Sequence, residues 1–116
     1  MTTPEPGSTA VPIEVHPSDH PRPTADRDAI LADPGFGRYP TDHQVRVTWT
    51  EDDGWHDARL EPYAPLTFDP MTNFLHYGQA IFEGLKAYRH ADGSIKVFRP
   101  VQNAERFARS ARRLAM

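Results

Sequence analysis

Alternating apolar and polar residues predict a first hairpin in the middle of the chain. From Gln44 to Thr50 apolar and polar side chains alternate with a period of two, as in a strand that buries one face. Asp53-Gly54 then predicts a hairpin turn with positive φ angles. The chain returns through Trp55, and we expect three residues of the second strand to share one face: His56, Ala58 and Leu60. Pro62 and Pro65 end the strand, because proline lacks a donor for the ladder.

A second hairpin follows the same logic. The segment from Leu85 to Arg89 leads to Asp92-Gly93, another turn sequence, and Ser94 to Phe98 returns with Ile95 and Val97 on one face. The two hairpins together predict an antiparallel sheet.

A helix is predicted at the end of the sequence. Pro100 suits a first helical turn, and apolar residues then recur at spacings of three and four. They are Val101, Ala104, Phe107, Ala108, Ala111, Leu114 and Ala115. No Gly or Asn follows them before Met116, so we expect the helix to lack a C-terminal cap and the chain to be truncated within or just after it.

The first third of the chain has a different composition. Seven of the twelve prolines lie within residues 1–34, where large apolar side chains are few. We expect a disordered arm over residues 1–34 and a small domain over residues 35–116. The run from Asp28 to Ala32 is assigned to loop, because Pro34 and Gly35 stop any helix there after about one turn.

Composition and charge limit the classes of partner that the chain is expected to bind. The formal net charge of -3 provides no positive field for nucleic acid or an anionic membrane, and no apolar run approaches membrane-spanning length. The chain has no cysteine and no basic-then-apolar leader, so the cytoplasm is the expected compartment. A core of roughly eighty residues buries only about 60% of its unfolded surface, which makes a further domain plausible.

Four segments, in order, resemble the small N-terminal domain of branched-chain aminotransferases. They are Phe36-Gly37 with Thr41-Asp42-His43, then Leu75-His76-Tyr77-Gly78, then Ile81 to Tyr88, and finally Phe98-Arg99-Pro100 with Asn103 to Arg106. The resemblance implies an α+β domain of the D-amino-acid-aminotransferase-like fold, with hairpins and a C-terminal helix, whose large domain is missing here. It also implies pyridoxal 5'-phosphate (PLP) as cofactor and a homodimer when the protein is full length.

The resemblance further implies the reaction. An amino group passes between leucine, isoleucine or valine and 2-oxoglutarate, giving the 2-oxo acids and glutamate. The family's Schiff-base lysine lies beyond this sequence, so we assign no catalytic residue and expect the fragment alone to be inactive. Lys86 and Lys96, the only lysines, sit on predicted strands and are interpreted as solvated side chains.

Arg106 matches the family arginine that contacts the PLP phosphate. A guanidinium suits this task because its donors form a fixed fork that fits phosphate oxygens. The helix pattern alone favours a plainer interpretation, since Arg106 shares its polar face with Arg109 and Arg113, as in a solvated stripe.

Three aromatic residues match the family's substrate pocket: Phe36, Tyr77 and Phe82. An apolar box suits branched side chains, although one methylene changes binding by only about 1–3 kcal/mol, so several substrates should be accepted. Without the resemblance, core packing is the more economical explanation for each aromatic side chain.

The sequence gives little support for a metal site or for a general base. The six histidines have no ligand spacing, so we predict no metal site. Glu83 is a lone carboxylate without an evident partner, which is more often structural than catalytic.

Two alternatives remain open. D-amino-acid aminotransferases and aminodeoxychorismate lyases share the same fold, although the string Phe82 to Tyr88 favours the branched-chain group. Less economically, the 116 residues form a complete non-catalytic module that binds a partner through the exposed helix.

Overall fold

The computed structural model of the protein describes residues 11–116. These residues form a small α+β structure in two compact units, divided between Leu66 and Thr67. The first unit holds β1 (Glu14–Val15), α1 (Thr24–Ala32), β2 (His43–Thr50) and β3 (Gly54–Pro62). The second holds α2 (Asn73–Tyr77), β4 (Ala87–Arg89), β5 (Ile95–Val97) and α3 (Pro100–Arg113).

The first predicted hairpin is confirmed as the antiparallel pair β2–β3. Its ladder contains a bulge, because Arg46 pairs with Arg59 while Thr48 pairs with His56. Two residues of β3 therefore oppose one residue of β2, and one of the two, Asp57, has a φ of 52°. A left-handed residue in a bulge is usually glycine, so aspartate here is unexpected.

The bulge changes which side chains share a face. Leu60 pairs with Val45, whereas His56 pairs with Thr48, a residue of the opposite parity on β2. The prediction that His56 and Leu60 lie on one face was therefore wrong, because the extra residue reverses the alternation of β3. The prediction of two positive φ angles in the turn was also too broad: Gly54 alone has one, at 64°.

The expected loop at Asp28–Ala32 was wrong, because these residues belong to α1. The arm is also tied to the hairpin: β1 pairs parallel with β3, and the amide of Ser18 donates to His43 Nε2 at 2.8 Å. These contacts contradict the expected disorder for residues 11–34. The expectation for residues 1–10 lies outside the described residues.

The sheet is also less uniform than predicted. One three-stranded sheet has the order β1-β3-β2 with one parallel pair, and a separate two-stranded sheet consists of β4 and β5. The second predicted hairpin is confirmed in this β4–β5 pair, although it is shorter than expected, and Gly93 in its turn has a φ of 80°.

Helix α3 begins where Pro100 predicts, but it ends differently. The amide of Met116 donates to the carbonyl of Ala111 at 3.1 Å, and that of Ala115 donates to Arg112 at 3.2 Å. With Ala115 at a φ of 53°, this is a Schellman motif in which alanine occupies the position that glycine prefers. The expectation of an uncapped helix was therefore wrong.

Little of the structure is buried. Within residues 11–116 only Ala58, at 3% exposed, is fully buried, and the apolar residues of β2 and α3 remain in contact with solvent. Among the helices of the described part of the chain, none has the length and apolar character needed to cross a membrane.

Candidate functional site

The second unit brings one carboxylate and two side chains of α3 together. Glu83 lies in the irregular segment between α2 and β4, and its side chain is only 11% exposed. Arg106 Nε donates to Glu83 Oε2 at 2.6 Å, and Arg106 Nη2 donates to Glu83 Oε1. The pair is therefore bidentate, the geometry that guanidinium and carboxylate groups favour.

Asn103 completes the cluster from one helical turn earlier on α3. Its Nδ2 group donates to Glu83 Oε1 at 3.0 Å and to the carbonyl oxygen of Gly84 at 2.8 Å. Residues three apart on a helix project on the same side, so the helix itself aligns Asn103 with Arg106. We call Glu83, Asn103 and Arg106 the arginine cluster.

The arginine cluster shifts the pKa values of Glu83 and Arg106 so that the charged form of each side chain is favoured. The hydrogen bond from Arg106 holds the pKa of the Glu83 carboxyl below its usual value, partial burial opposes this, and Asn103 adds to the lowering. The same contact raises the pKa of Arg106. Both groups are therefore charged at neutral pH, and the cluster is an ion pair rather than a proton-transfer couple.

A second contact fixes the segment that carries these residues. Gln79 Nε2 donates to the carbonyl of Leu114 at 3.0 Å, and its oxygen accepts from Asn73 Nδ2 at 2.9 Å. The segment from Gln79 to Gly84 is thus held to α3 near both ends of the helix. It needs no regular secondary structure of its own to be positioned.

The aromatic residues expected at a substrate pocket are exposed. Tyr77 ends α2, just before Gly78 takes the left-handed conformation, and Phe82 precedes Glu83; each is 83% exposed. Within residues 11–116 no hydrogen bond or cation–π contact joins either ring to Arg106. Phe36, at 95% exposed, belongs to the first unit.

The local sequence around Glu83 shows no partner for its carboxylate, although the structure gives it two on α3. Its partners lie 20 and 23 positions further along the chain, beyond the reach of any local pattern. The available signal was that Glu83, Asn103 and Arg106 all fall within the segments that carry the family resemblance.

Lys86 and Lys96 are both exposed, and within the described residues no group of histidine or carboxylate side chains has the arrangement of a metal site.

Relatives of the chain are found by comparison with known proteins. No protein-family model matches it. It is 58% identical over 116 residues to a probable branched-chain-amino-acid aminotransferase of Streptomyces coelicolor, covering 100% of this chain and 30% of that relative. It is 56% identical over 107 residues to a branched-chain-amino-acid aminotransferase of Mycolicibacterium smegmatis, covering 90% of the chain and 29% of the relative.

A branched-chain-amino-acid transaminase of Bacillus subtilis is 54% identical over 82 residues, which cover 71% of the chain and 23% of the relative. The chain thus spans less than a third of the length of these relatives and corresponds to their N-terminal part. Identity of this level along its whole length shows that the chain belongs to the branched-chain-amino-acid aminotransferase family.

Proposed function

We propose that this chain serves as the N-terminal part of a PLP-dependent transaminase that moves an amino group between leucine, isoleucine or valine and 2-oxoglutarate. The observation that carries the proposal is the 58% identity, along all 116 residues, to a probable enzyme of that name. The proposal includes the D-amino-acid-aminotransferase-like fold, of which the small α+β structure would be one part.

The arginine cluster supports a phosphate-bearing cofactor. Arg106 is 54% exposed although Glu83 binds one edge of its guanidinium, so donors remain for a second acceptor. Arginine matches phosphate geometry, and the residues present therefore fit the phosphate of PLP. When bound, PLP supplies an electron-withdrawing ring that stabilises negative charge at the substrate Cα. We place the Schiff-base lysine outside this chain.

The exposed aromatic side chains support an apolar substrate pocket. Tyr77 and Phe82 present large surfaces that gain about 25 cal/mol for each Å² removed from water. We propose that both rings line the pocket for the branched side chain. Phe36, in the first unit, is proposed as a substrate-binding residue on the family resemblance alone. Such a pocket selects by shape and apolarity, which favours leucine, isoleucine and valine over polar substrates.

The proposal is tested with the full-length protein that contains this chain. We expect PLP-dependent consumption of L-leucine that requires 2-oxoglutarate and produces glutamate. D-Alanine and aminodeoxychorismate are assayed beside it, because enzymes of the same fold act on them. A preference for either of these compounds, or no turnover of leucine, would contradict the proposal.

Two further measurements address the parts of the protein. The 116-residue chain assayed alone should give no transamination, because it lacks a Schiff-base lysine and most of a phosphate site. We also propose a homodimer for the full-length protein, which light scattering during size-exclusion chromatography would reveal as twice the monomer mass. A monomer with full activity would contradict the homodimer alone.

A further inference from the structure

Glu83 is the most enclosed member of the arginine cluster, and nearly all of its acceptor capacity is used. Oε1 accepts from Asn103, from Arg106 and from the amide of Gly84 at 3.1 Å, while Oε2 accepts from Arg106 Nε. At 11% exposed, the carboxylate has little water available as an alternative partner. Its position is therefore fixed by protein donors on both oxygens.

The contact with Glu83 also leaves a defined part of Arg106 free. A guanidinium has five N–H donors in one plane. Glu83 binds the edge formed by Nε and Nη2, and this leaves the edge formed by Nη1 and the outer hydrogen of Nη2 for another bidentate acceptor. One arginine can therefore bind two anions, one on each edge, with the first fixing the plane for the second.

Arg106 is distinguished in this way from its neighbours on α3. Arg109 and Arg113 share its polar face, yet within residues 11–116 Arg106 is the one α3 arginine paired with a carboxylate. An unpaired exposed arginine samples many rotamers and loses that freedom when it binds a ligand. Pairing with Glu83 removes part of this loss before any ligand arrives.

We propose that Glu83 is a positioning residue, held by Asn103, that fixes the guanidinium of Arg106 so that its free edge is preorganised for the phosphate of PLP. This inference rests on the proposed function. Glu83 itself does not contact the phosphate in this scheme, since a carboxylate there would repel it. Its contribution is orientation, which must outweigh the negative charge that it adds near the phosphate.

Glu83 has two effects, since it orients Arg106 and adds negative charge near the phosphate. These two effects predict opposite results for Glu83→Gln. If orientation dominates, the variant binds PLP more weakly; if charge dominates, removing the carboxylate tightens binding. The experiment measures dissociation constants of PLP and of pyridoxal, which lacks the phosphate, with the full-length apoenzyme. We expect PLP binding to weaken about tenfold or more in Glu83→Gln, as for loss of a charged hydrogen bond, and pyridoxal binding to stay unchanged.

Glu105→Gln is the matched control. It removes the same charge from the residue next to Arg106, at an exposed position of α3, and should leave both dissociation constants unchanged. A double-mutant cycle with Arg106→Lys adds a second test, because lysine is a point charge without two edges. We expect Glu83→Gln to have little further effect on PLP binding once Arg106 is lysine.

The outcomes separate the inference from the proposed function. Unchanged or tighter PLP binding by Glu83→Gln, an equal loss for PLP and pyridoxal, or additivity with Arg106→Lys would each overturn the positioning role while leaving the transaminase intact. A wild-type apoenzyme that binds neither compound would overturn the proposed function, and the inference with it. Weaker PLP binding alone, lost in the Arg106→Lys background, supports the role.

Discussion

Gln44 and Glu61 face each other across the β2–β3 hairpin as register partners, and Gln44 Nε2 donates to Glu61 Oε1 at 3.0 Å. Arg46 Nε donates to the same oxygen at 3.3 Å from two residues further along β2. A single carboxylate on β3 therefore binds two side chains of β2 on one face of the sheet. Such cross-strand contacts stabilise a hairpin that buries little apolar surface.

This contact predicts a pH dependence for the hairpin. The hydrogen bonds from Gln44 and then Arg46 hold the pKa of Glu61 below its ordinary value of 4.5. Because the folded-state pKa is lowered, the stabilisation is complete above the unfolded value and is lost as the pH falls through the folded value. We expect amide protection in β2 and β3, measured by hydrogen exchange in the full-length protein, to fall in that acidic range.

The Glu61→Gln variant isolates the contribution of the Glu61 carboxylate, because the side-chain amide of glutamine does not titrate. Protection in the variant should be lower than in the wild type at neutral pH and should converge with it in acid. Glu51→Gln, in the turn of the same hairpin, provides the control. Equal pH profiles for the wild type and Glu61→Gln would count against this account.

The bulge at Asp57 predicts an unusual order of substitutions. Asp57 has a φ of 52°, and its Oδ1 forms an ion pair with Arg59 Nη2 at 2.5 Å. A β-branched residue is strained in the left-handed region, so Asp57→Val should destabilise the hairpin by about 1–2 kcal/mol. Asp57→Gly removes the strain together with the ion pair and should be tolerated far better. Hydrogen exchange of the β3 amides measures both; a Val variant as stable as the Gly variant would disprove a strained backbone here.

The regular elements could be predicted where the pattern is local. Both hairpins and α3 follow from alternation, turn residues and helical spacing within a few residues of each other. The bulge could not be predicted, because Asp57 occupies a position where sequence rules look for glycine. Strand β1 also escaped prediction, since two residues carry no period and their pairing with β3 is distant in sequence.

The candidate site likewise has a part that could be predicted from the sequence and a part that could not. Arg106 was identified through resemblance, whereas the helix pattern alone would have left it in a solvated stripe with Arg109 and Arg113. The contact that sets Arg106 apart joins it to Glu83 across 23 positions, and only the folded chain reveals that pairing. The roles of Phe36, Tyr77 and Phe82 stay predictions, and all three side chains are exposed.

The end of α3 predicts a stabilising substitution. Ala115 occupies the left-handed position of the Schellman motif, where a Cβ atom costs about 1 kcal/mol relative to glycine. Ala115→Gly should therefore raise the helicity of a peptide spanning residues 99–116, measured by circular dichroism. Ala111→Gly is the matched control: the same change inside the helix should lower helicity, at a cost of about 1 kcal/mol. A loss of helicity in both variants would contradict the capping geometry.

The proposed pocket predicts a loss of activity that depends on substrate size. Phe82→Ala and Tyr77→Ala should each lower kcat/KM for leucine in the full-length enzyme, by roughly tenfold to a hundredfold, because apolar contact with the branched side chain is lost. Tyr77→Phe keeps the ring and should retain most of the activity. With alanine as amino donor the losses should be smaller, since its methyl group reaches less of the pocket. Tyr88→Ala, at an exposed aromatic residue of β4, is the control and should change neither rate. Equal losses for leucine and alanine would assign Tyr77 and Phe82 to packing between the parts of the protein instead of to substrate recognition.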